Sequence, residues 1–406
     1  MRGRCPAGQR GVSERKRGRI APVKYTLVLL IGAIAAPPAS FAAAIETKAP
    51  QALLIDDKTG TVLLSKNPDA LIPPASLAKL MTMEVVFDAL SKGQLSLEQT
   101  FPVSEYAWRT GGAPSGTSTM FAKIKSTPRV EDLIQGVIVQ SANDGCIVLA
   151  EGMAGSEEQF AKRMTERARA LGLQKSTFVN STGLPAPGQT VSIAELVTLA
   201  RHIHRTYPQF YKYYQQESFT WNNITQRNRN PLLRLDIGAD GLGTGYTQGS
   251  GYALIASAER NGRRLFLGMS GLASDRERAE EARKLVEWGM SNFEDVLLFP
   301  ANDPLGEASV YGGVRSSVKL RTGEAIELLL PSKDRPPLKA RVVYNGPLKA
   351  PIEAGKEVGT LKIWMGETLL QERPVFAAET VPEGSISKKA LDAAVELATG
   401  WIRRFL

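Results

Sequence analysis

Apolar and polar positions follow two different textures along this chain, and the change falls near residue 299. Before it, helix-like and strand-like periods mix. Ala52-Leu53-Leu54-Ile55-Asp56 and Val62-Leu63-Leu64-Ser65 flank the turn residues Lys58-Thr59-Gly60 and predict a β-hairpin. Apolar residues at helical spacing predict helices over 77–90, 130–139, 156–171, 192–204 and 277–288. Residues 252–258 and 264–269 predict two strands across the polar turn Glu259-Arg260-Asn261-Gly262. After Phe299-Pro300 the pattern becomes short alternating runs, at 317–320, 326–330, 340–344 and 360–364, separated by Gly and Pro. That texture predicts a small all-β domain, and it carries no catalytic constellation of its own.

The two ends differ from both regions. In 385–406, Leu391, Val395, Ala398, Ile402 and Phe405 recur at i, i+4, i+7, i+11 and i+14, with Trp401 beside them. Lys388, Lys389, Asp392, Glu396, Arg403 and Arg404 fill the other positions. An ordinary core-docking helix would show the same period. The Trp/Phe end, its flanking arginines and the terminal position favour a helix lying in a membrane surface. At the other end a basic stretch (Arg2 to Lys24) precedes the apolar run 25–36. Pro37-Pro38 and small-x-small sites at Ser40-Phe41-Ala42 and Ala42-Ala43-Ala44 follow. These features predict a secretory signal peptide over 1–42. The expected organisation is then a signal peptide at 1–42, a catalytic domain at 43–298, a β-rich domain at 299–381 and an anchor helix at 385–406.

Removing the leader changes the composition argument. The whole chain carries 50 Lys+Arg and 41 Asp+Glu, a net charge of +9. Eight of those cations and one of those anions lie in 1–42, which leaves 42 − 40 = +2. The basic balance is mostly the leader, so no nucleic-acid partner is expected. Cys5 leaves with the leader and Cys146 stays alone, so no internal disulfide forms and the core must hold the fold. Cys146, in an apolar run, reads as a small buried hydrophobe.

The chemistry has to come from few residue types. The chain has two histidines, His202 and His204, two apart in a helical pattern and therefore on different faces. Neither sits in a metal-pair or nucleophile-elbow context, so a Ser-His-Asp hydrolase is not expected. A lysine can replace the histidine. In Ser76-Leu77-Ala78-Lys79 the serine precedes the lysine by one helical turn, which puts both side chains on one face. A lysine amine has an ordinary pKa of about 10.4. Burial or a nearby cation lowers it until the neutral amine can take the serine proton. About sixty residues on comes Gln140-Ser141-Ala142-Asn143-Asp144, between two apolar helices. A hundred residues further is Asp240-Gly241-Leu242-Gly243-Thr244-Gly245-Tyr246-Thr247.

These three boxes, in this order and at these spacings, resemble those of the D-alanyl-D-alanine carboxypeptidases among the low-molecular-mass penicillin-binding proteins: Ser-x-x-Lys, Ser-x-Asn and Lys-Thr-Gly. The likeness extends to Thr177-Phe178-Val179-Asn180 before Thr182-Gly183-Leu184, to Asn228-Arg229-Asn230 and to the stretch from Gly251 to Ala258. It covers essentially the whole mature chain. It implies an α/β (α+β) β-lactamase/DD-peptidase-like catalytic domain, an antiparallel sheet flanked by helices, with a small all-β domain and a terminal amphipathic helix behind it. It implies that Ser76 attacks the carbonyl between the terminal D-alanines of a peptidoglycan stem peptide, with Lys79 as base. Ser141 would relay a proton to the leaving amine, and Asn143 would hydrogen-bond the substrate backbone or Lys79. The N–H groups of Ser76 and Tyr246 would form the oxyanion hole. Thr244, Gly245 and Tyr246 would line the substrate strand. β-Lactams would acylate the same serine, no metal or organic cofactor is implied, and the address would be the periplasmic face of a bacterial inner membrane.

One residue departs from the family pattern. Gly243 stands where the resemblance expects a lysine, which would face the substrate's terminal carboxylate and help keep Lys79 neutral. Arg229 is the expected replacement because a guanidinium can bind a carboxylate bidentately. Arg234, Arg276 and Arg278 are the further candidates. Two other readings follow: a weakened or inactive peptidoglycan-binding paralogue, and a β-lactamase. The second lacks a Glu-x-x-Leu-Asn loop between Asn143 and Asp240.

Overall fold

In a computed structural model of the chain, residues 45–333 and 335–399 are described. The expected signal peptide lies outside them, as do Trp401, Ile402, Arg403, Arg404 and Phe405 of the tail. In chain order the elements begin with β1 (Gln51–Asp56) and β2 (Val62–Lys66), then α1 (Lys79–Ser91), α2 (Glu105–Thr110), α3 (Val130–Gln140), α4 (Asn143–Ala154), α5 (Glu157–Ala170), α6 (Ile193–Thr206) and the single turn α7 (Pro208–Tyr211). The hairpin β3 (Ser218–Trp221) and β4 (Ile224–Arg227) follows, then β5 (Ala239–Thr247), β6 (Gly251–Arg260), β7 (Arg263–Leu272) and α8 (Asp275–Ser291).

Strands β2-β1-β7-β6-β5 form one antiparallel sheet in that order. Its two faces explain why β6 and β7 read as unbroken apolar runs. Side chains alternate between faces with period two, and here both faces are covered. Leu53, Ala253, Ile255 and Phe266 point into a core shared with α1, α3, α4, α5 and α6. Leu54, Leu254, Ala256 and Leu267 point the other way, against Ala282, Leu285 and Val286 of α8. The predicted helices and central strands are present. Strand β5 was not evident in the sequence because Gly241, Gly243 and Gly245 remove the side-chain pattern by which strands are read.

The remaining strands are β8 (Phe293–Phe299), β9 (Pro304–Tyr311), β10 (Ser317–Thr322), β11 (Ile326–Pro331), β12 (Leu338–Val343), β13 (Leu348–Lys349), β14 (Glu357–Met365) and β15 (Thr368–Ala377). Six of them form a sheet in the order β12-β14-β15-β10-β9-β13, while β8 pairs with β11. Val318, Leu320, Leu328, Ile363 and Val375 fill a separate core. Helix α9 (Ile386–Thr399) ends the described chain, and the Gly312 N–H donates to its Asp392 at 2.9 Å. Ile386, Leu391 and Leu397 of α9 are exposed. No helix among the described residues is long and apolar enough to cross a membrane.

Candidate active site

Ser76 sits on a short 3-10 turn (Ala75–Ala78) that runs directly into α1. Leu77 and Ala78 are fully buried, which pins the turn to the core and leaves Ser76 at a cleft. The turn is tight: Ala75 holds a left-handed φ of 49°. Gly183, itself at φ 79°, lies so close that a methyl group on it would come within 1.7 Å of the Ala75 carbonyl oxygen. Glycine there is a requirement of the packing as well as of the backbone angle.

Lys79 opens α1 and is 5% exposed. Its Nζ is 3.0 Å from Ser76 Oγ and donates to the Thr182 carbonyl at 2.6 Å. Its pKa is lowered to about 8, chiefly by burial and with a smaller contribution from the Arg229 charge, against the opposing effects of Cys146, Glu157 and Asp144. A group so placed is neutral in a substantial fraction just above neutral pH and can accept the Ser76 proton.

The second wall comes from the α3–α4 junction. Helix α3 ends with Ser141 at a φ of 60°, and α4 begins two residues later at Asn143. Ser141 Oγ is buried without a partner among the described residues and lines the cleft with Ser76 and Lys79. The Asn143 amide donates to Thr117 Oγ1 at 2.9 Å, and its Oδ1 has no partner among the described residues. The buried Asp144 carboxylate holds the loop that carries Thr117, accepting from Thr119 Oγ1 and from the N–H groups of Met120 and Ala122.

The third wall is β5, the edge strand. Its outer N–H and C=O groups have no sheet partner among the described residues, so an extended peptide can pair with them. Gly243 and Thr244 line the cleft. Around Gly243 nothing lies within 4 Å of where a Cβ would be, and its φ is not in the left-handed region. Neither sterics nor backbone geometry therefore demands glycine at 243. Gly245 packs against the Ser76 turn, where a methyl group would be 3.1 Å from the Ala75 Cβ. The Tyr246 ring is 54% exposed and lies 4.4 Å from the Tyr252 ring.

Arg229 reaches the same cleft from the loop after β4. Two buried asparagines hold that loop. Asn228 Nδ2 donates to the Gln216 carbonyl, and Asn230 Nδ2 donates to the Gly241 carbonyl of β5, each at 2.8 Å. The Arg229 N–H donates to the Val139 carbonyl of α3 at 3.1 Å. Arg229 is thus exposed at its tip and anchored at its base. The other three arginines are engaged elsewhere. Arg234 donates to the Asn228 carbonyl, Arg276 pairs with Glu280, and the buried Arg278 pairs with Asp275 and lies over the Tyr252 ring.

Ser76, Lys79, Ser141, Arg229, Gly243 and Thr244 therefore share one cleft, with Asn143, Gly245 and Tyr246 in the elements that frame it. Sequence reading missed the Thr182 carbonyl, since a backbone acceptor leaves no signature in residue types. It also missed Tyr214, which lines the cleft and whose buried hydroxyl has no partner among the described residues. Among the described residues, no group of three or more His, Cys, Asp or Glu converges on a possible metal site.

A serine and a buried lysine at the edge strand of a helix-flanked antiparallel sheet define the penicillin-binding/β-lactamase-like class of acyl-transfer proteins. The D-alanyl-D-alanine carboxypeptidase family model matches residues 37–270, and a model for the penicillin-binding protein 5 C-terminal domain matches 293–383. The chain is 37% identical over 343 residues to D-alanyl-D-alanine carboxypeptidase DacD of Salmonella typhimurium, covering 84% of this chain and 88% of that protein. It is 37% identical over 363 residues to DacC of Escherichia coli, covering 87% and 91%. Penicillin-binding protein 5 of Haemophilus influenzae superposes with a TM-score of 0.69 at 33% identity, covering 84% of this chain and all of that one. The chain belongs to the D-alanyl-D-alanine carboxypeptidase family.

Proposed function

We propose that this protein is a serine-type D-Ala-D-Ala carboxypeptidase that removes the terminal D-alanine from peptidoglycan stem pentapeptides through an acyl-enzyme on Ser76. The observation that carries this reading is the buried Lys79 amine at 3.0 Å from Ser76 Oγ, in a cleft open to an unpaired strand edge. The peptide lies along β5, and neutral Lys79 takes the Ser76 proton as Oγ adds to the penultimate D-alanine carbonyl. The N–H groups of Ser76 and Tyr246 hold the developing oxyanion. Ser141, whose hydroxyl has no competing partner among the described residues, passes a proton to the departing D-alanine amine. Asn143 orients the peptide backbone with its free Oδ1. Water then cleaves the ester, regenerating the Ser76 hydroxyl and releasing the shortened peptide. A β-lactam enters the same path and stops at the acyl-enzyme.

Gly243 stands where the family pattern carries a lysine, and Arg229 takes over the terminal carboxylate. Its anchored base and free guanidinium support that role. The leader composition and α9, with Leu391 and Leu397 exposed, support an exported protein resting on the periplasmic face of the inner membrane. The test is D-alanine release from a pentapeptide muropeptide by the purified mature protein, beside Ser76→Ala and Gly243→Lys. Release abolished by Ser76→Ala is the expected result. No release from the wild type with recovery in Gly243→Lys would replace an enzyme by a peptidoglycan-binding protein.

A further inference from the structure

The segment between α5 and α6 contains no helix or strand around Thr182, so side chains must set its shape. Asn180 Oδ1 accepts from Thr182 Oγ1 at 3.1 Å and from the Gly183 N–H at 2.7 Å. Thr82 Oγ1 of α1 donates to the Ser181 carbonyl at 2.6 Å. The remaining clamp is Glu157, the first residue of α5. Its Oε1 accepts from the Ser181 N–H at 3.0 Å and from Ser181 Oγ at 2.6 Å, while its Oε2 accepts from Tyr106 Oη of α2 at 2.9 Å. One half-buried carboxylate thus joins α2, α5 and the loop, and the next residue on that loop presents the carbonyl that receives Lys79.

We propose that Glu157 is a positioning residue for the serine–lysine pair: through Ser181 it fixes the Thr182 carbonyl, which takes one Lys79 N–H and so aims the amine's lone pair at Ser76 Oγ. The inference rests on the reading of Lys79 as the base. A neutral amine at the end of four methylenes rotates freely and is a base in only one orientation. Committing an N–H to a fixed acceptor removes most of the unproductive ones. The carboxylate has an opposite electrostatic effect, since a negative charge favours the ammonium. The groups that face Lys79 are Asp144 and Cys146 of α4, Glu157 of α5 and Arg229. Burial pushes the Cys146 thiol up to about 12, so it stays uncharged. Glu157 therefore contributes geometry to the base while holding it slightly too basic, and the two effects separate experimentally.

The test uses the mature protein and its Glu157→Gln, Glu157→Ala and Ser181→Ala variants. Penicillin acylation rates are measured across pH, and Lys79 is titrated by NMR in ε-¹³C-lysine-labelled protein, its resonance assigned with Lys79→Met. Glutamine keeps an acceptor for Ser181 and a partner for Tyr106 without the charge. Glu157→Gln should leave the high-pH acylation plateau within about threefold, and should move both the acid limb and the Lys79 titration to lower pH. Glu157→Ala should move the titration the same way and also lower the plateau by roughly tenfold, the lower end of what a lost charge-assisted hydrogen bond is worth. Ser181→Ala should fall between them in plateau with the titration in place. A wild-type plateau in Glu157→Ala overturns the proposal wherever the Lys79 titration falls, because the titration reports the charge and the plateau the positioning. Penicillin labelling that survives Ser76→Ala overturns the reading of the base pair instead.

Discussion

The two sides of the cleft are built differently. On the Ser76 side, Lys79 is buried and hydrogen-bonded to a loop carbonyl, and the turn that carries Ser76 is packed against Gly183 and Gly245. On the β5 side, position 243 faces open space and Arg229 is an exposed guanidinium on an anchored loop. On the proposed reading, the difference separates two jobs. Making a nucleophile needs a lysine stripped of water, and only a closed, close-packed setting supplies that. Recognising a peptide carboxylate needs a cation that solvent and substrate can both reach, so that side tolerates replacement. On the proposed reading, glycine at 243 would alter recognition on the open side while leaving the closed side's acylation chemistry in place.

The comparison breaks most sharply at Lys79. Lys79→Gln should slow penicillin acylation by about 10²–10⁴-fold, the usual worth of a positioned base, as read by intact mass of the penicilloyl adduct over time. If Lys79→Gln acylated at the wild-type rate, the buried side would have no special role. Gly183→Ala comes next. Its methyl group would meet the Ala75 carbonyl in a left-handed backbone, so a loss of about 1–3 kcal/mol is expected, measured by urea denaturation, with acylation falling alongside. An unchanged midpoint would mean that the turn is not held as tightly as its packing implies.

On the open side the effects should be smaller. Arg229→Ala should lower kcat/KM for the pentapeptide by roughly 10–100-fold through the lost carboxylate contact. Its pH dependence carries a sign. Lys79 is a base only when neutral, so acylation rises with pH through the region of about 8 where it titrates. Arg229 favours the neutral amine, so its removal should move the acid limb to higher pH. Gly243→Lys adds a cation and should move that limb to lower pH while raising kcat/KM by up to about tenfold. Gly243→Ala should change neither by more than about threefold, because the methyl group would touch nothing. A collapse of activity in Gly243→Ala would show that glycine at 243 is itself needed, and that this side is as closely fitted as the other.

Much of this was legible in the chain. Ser76 and Lys79 were legible as a helical spacing that gained weight only beside the two later boxes, the sheet through the apolar runs of β6 and β7, and the second region through its short strands. Ser141 and Asn143 were legible only as a motif, and their placement at a left-handed junction between α3 and α4 was not. Strand β5 was obscured by its own glycines. The β8 segment read as the end of the first region yet is hydrogen-bonded to β11 in the second, because strand pairing is a long-range property that local pattern does not carry.

By itself, the sequence determined the residue types available for catalysis, the spacing that puts Ser76 and Lys79 on one face, and the presence of glycine at 243. These are local or compositional properties, readable without knowing what packs where. Only the tertiary structure decided that Lys79 is dry enough to titrate near 8, that the Thr182 carbonyl and Glu157 stand behind it, and that Arg229 rather than Arg276 or Arg278 opens onto the cleft with its guanidinium free. Each of those depends on contacts between segments far apart in the chain, and desolvation and hydrogen-bond direction exist only once such segments have met.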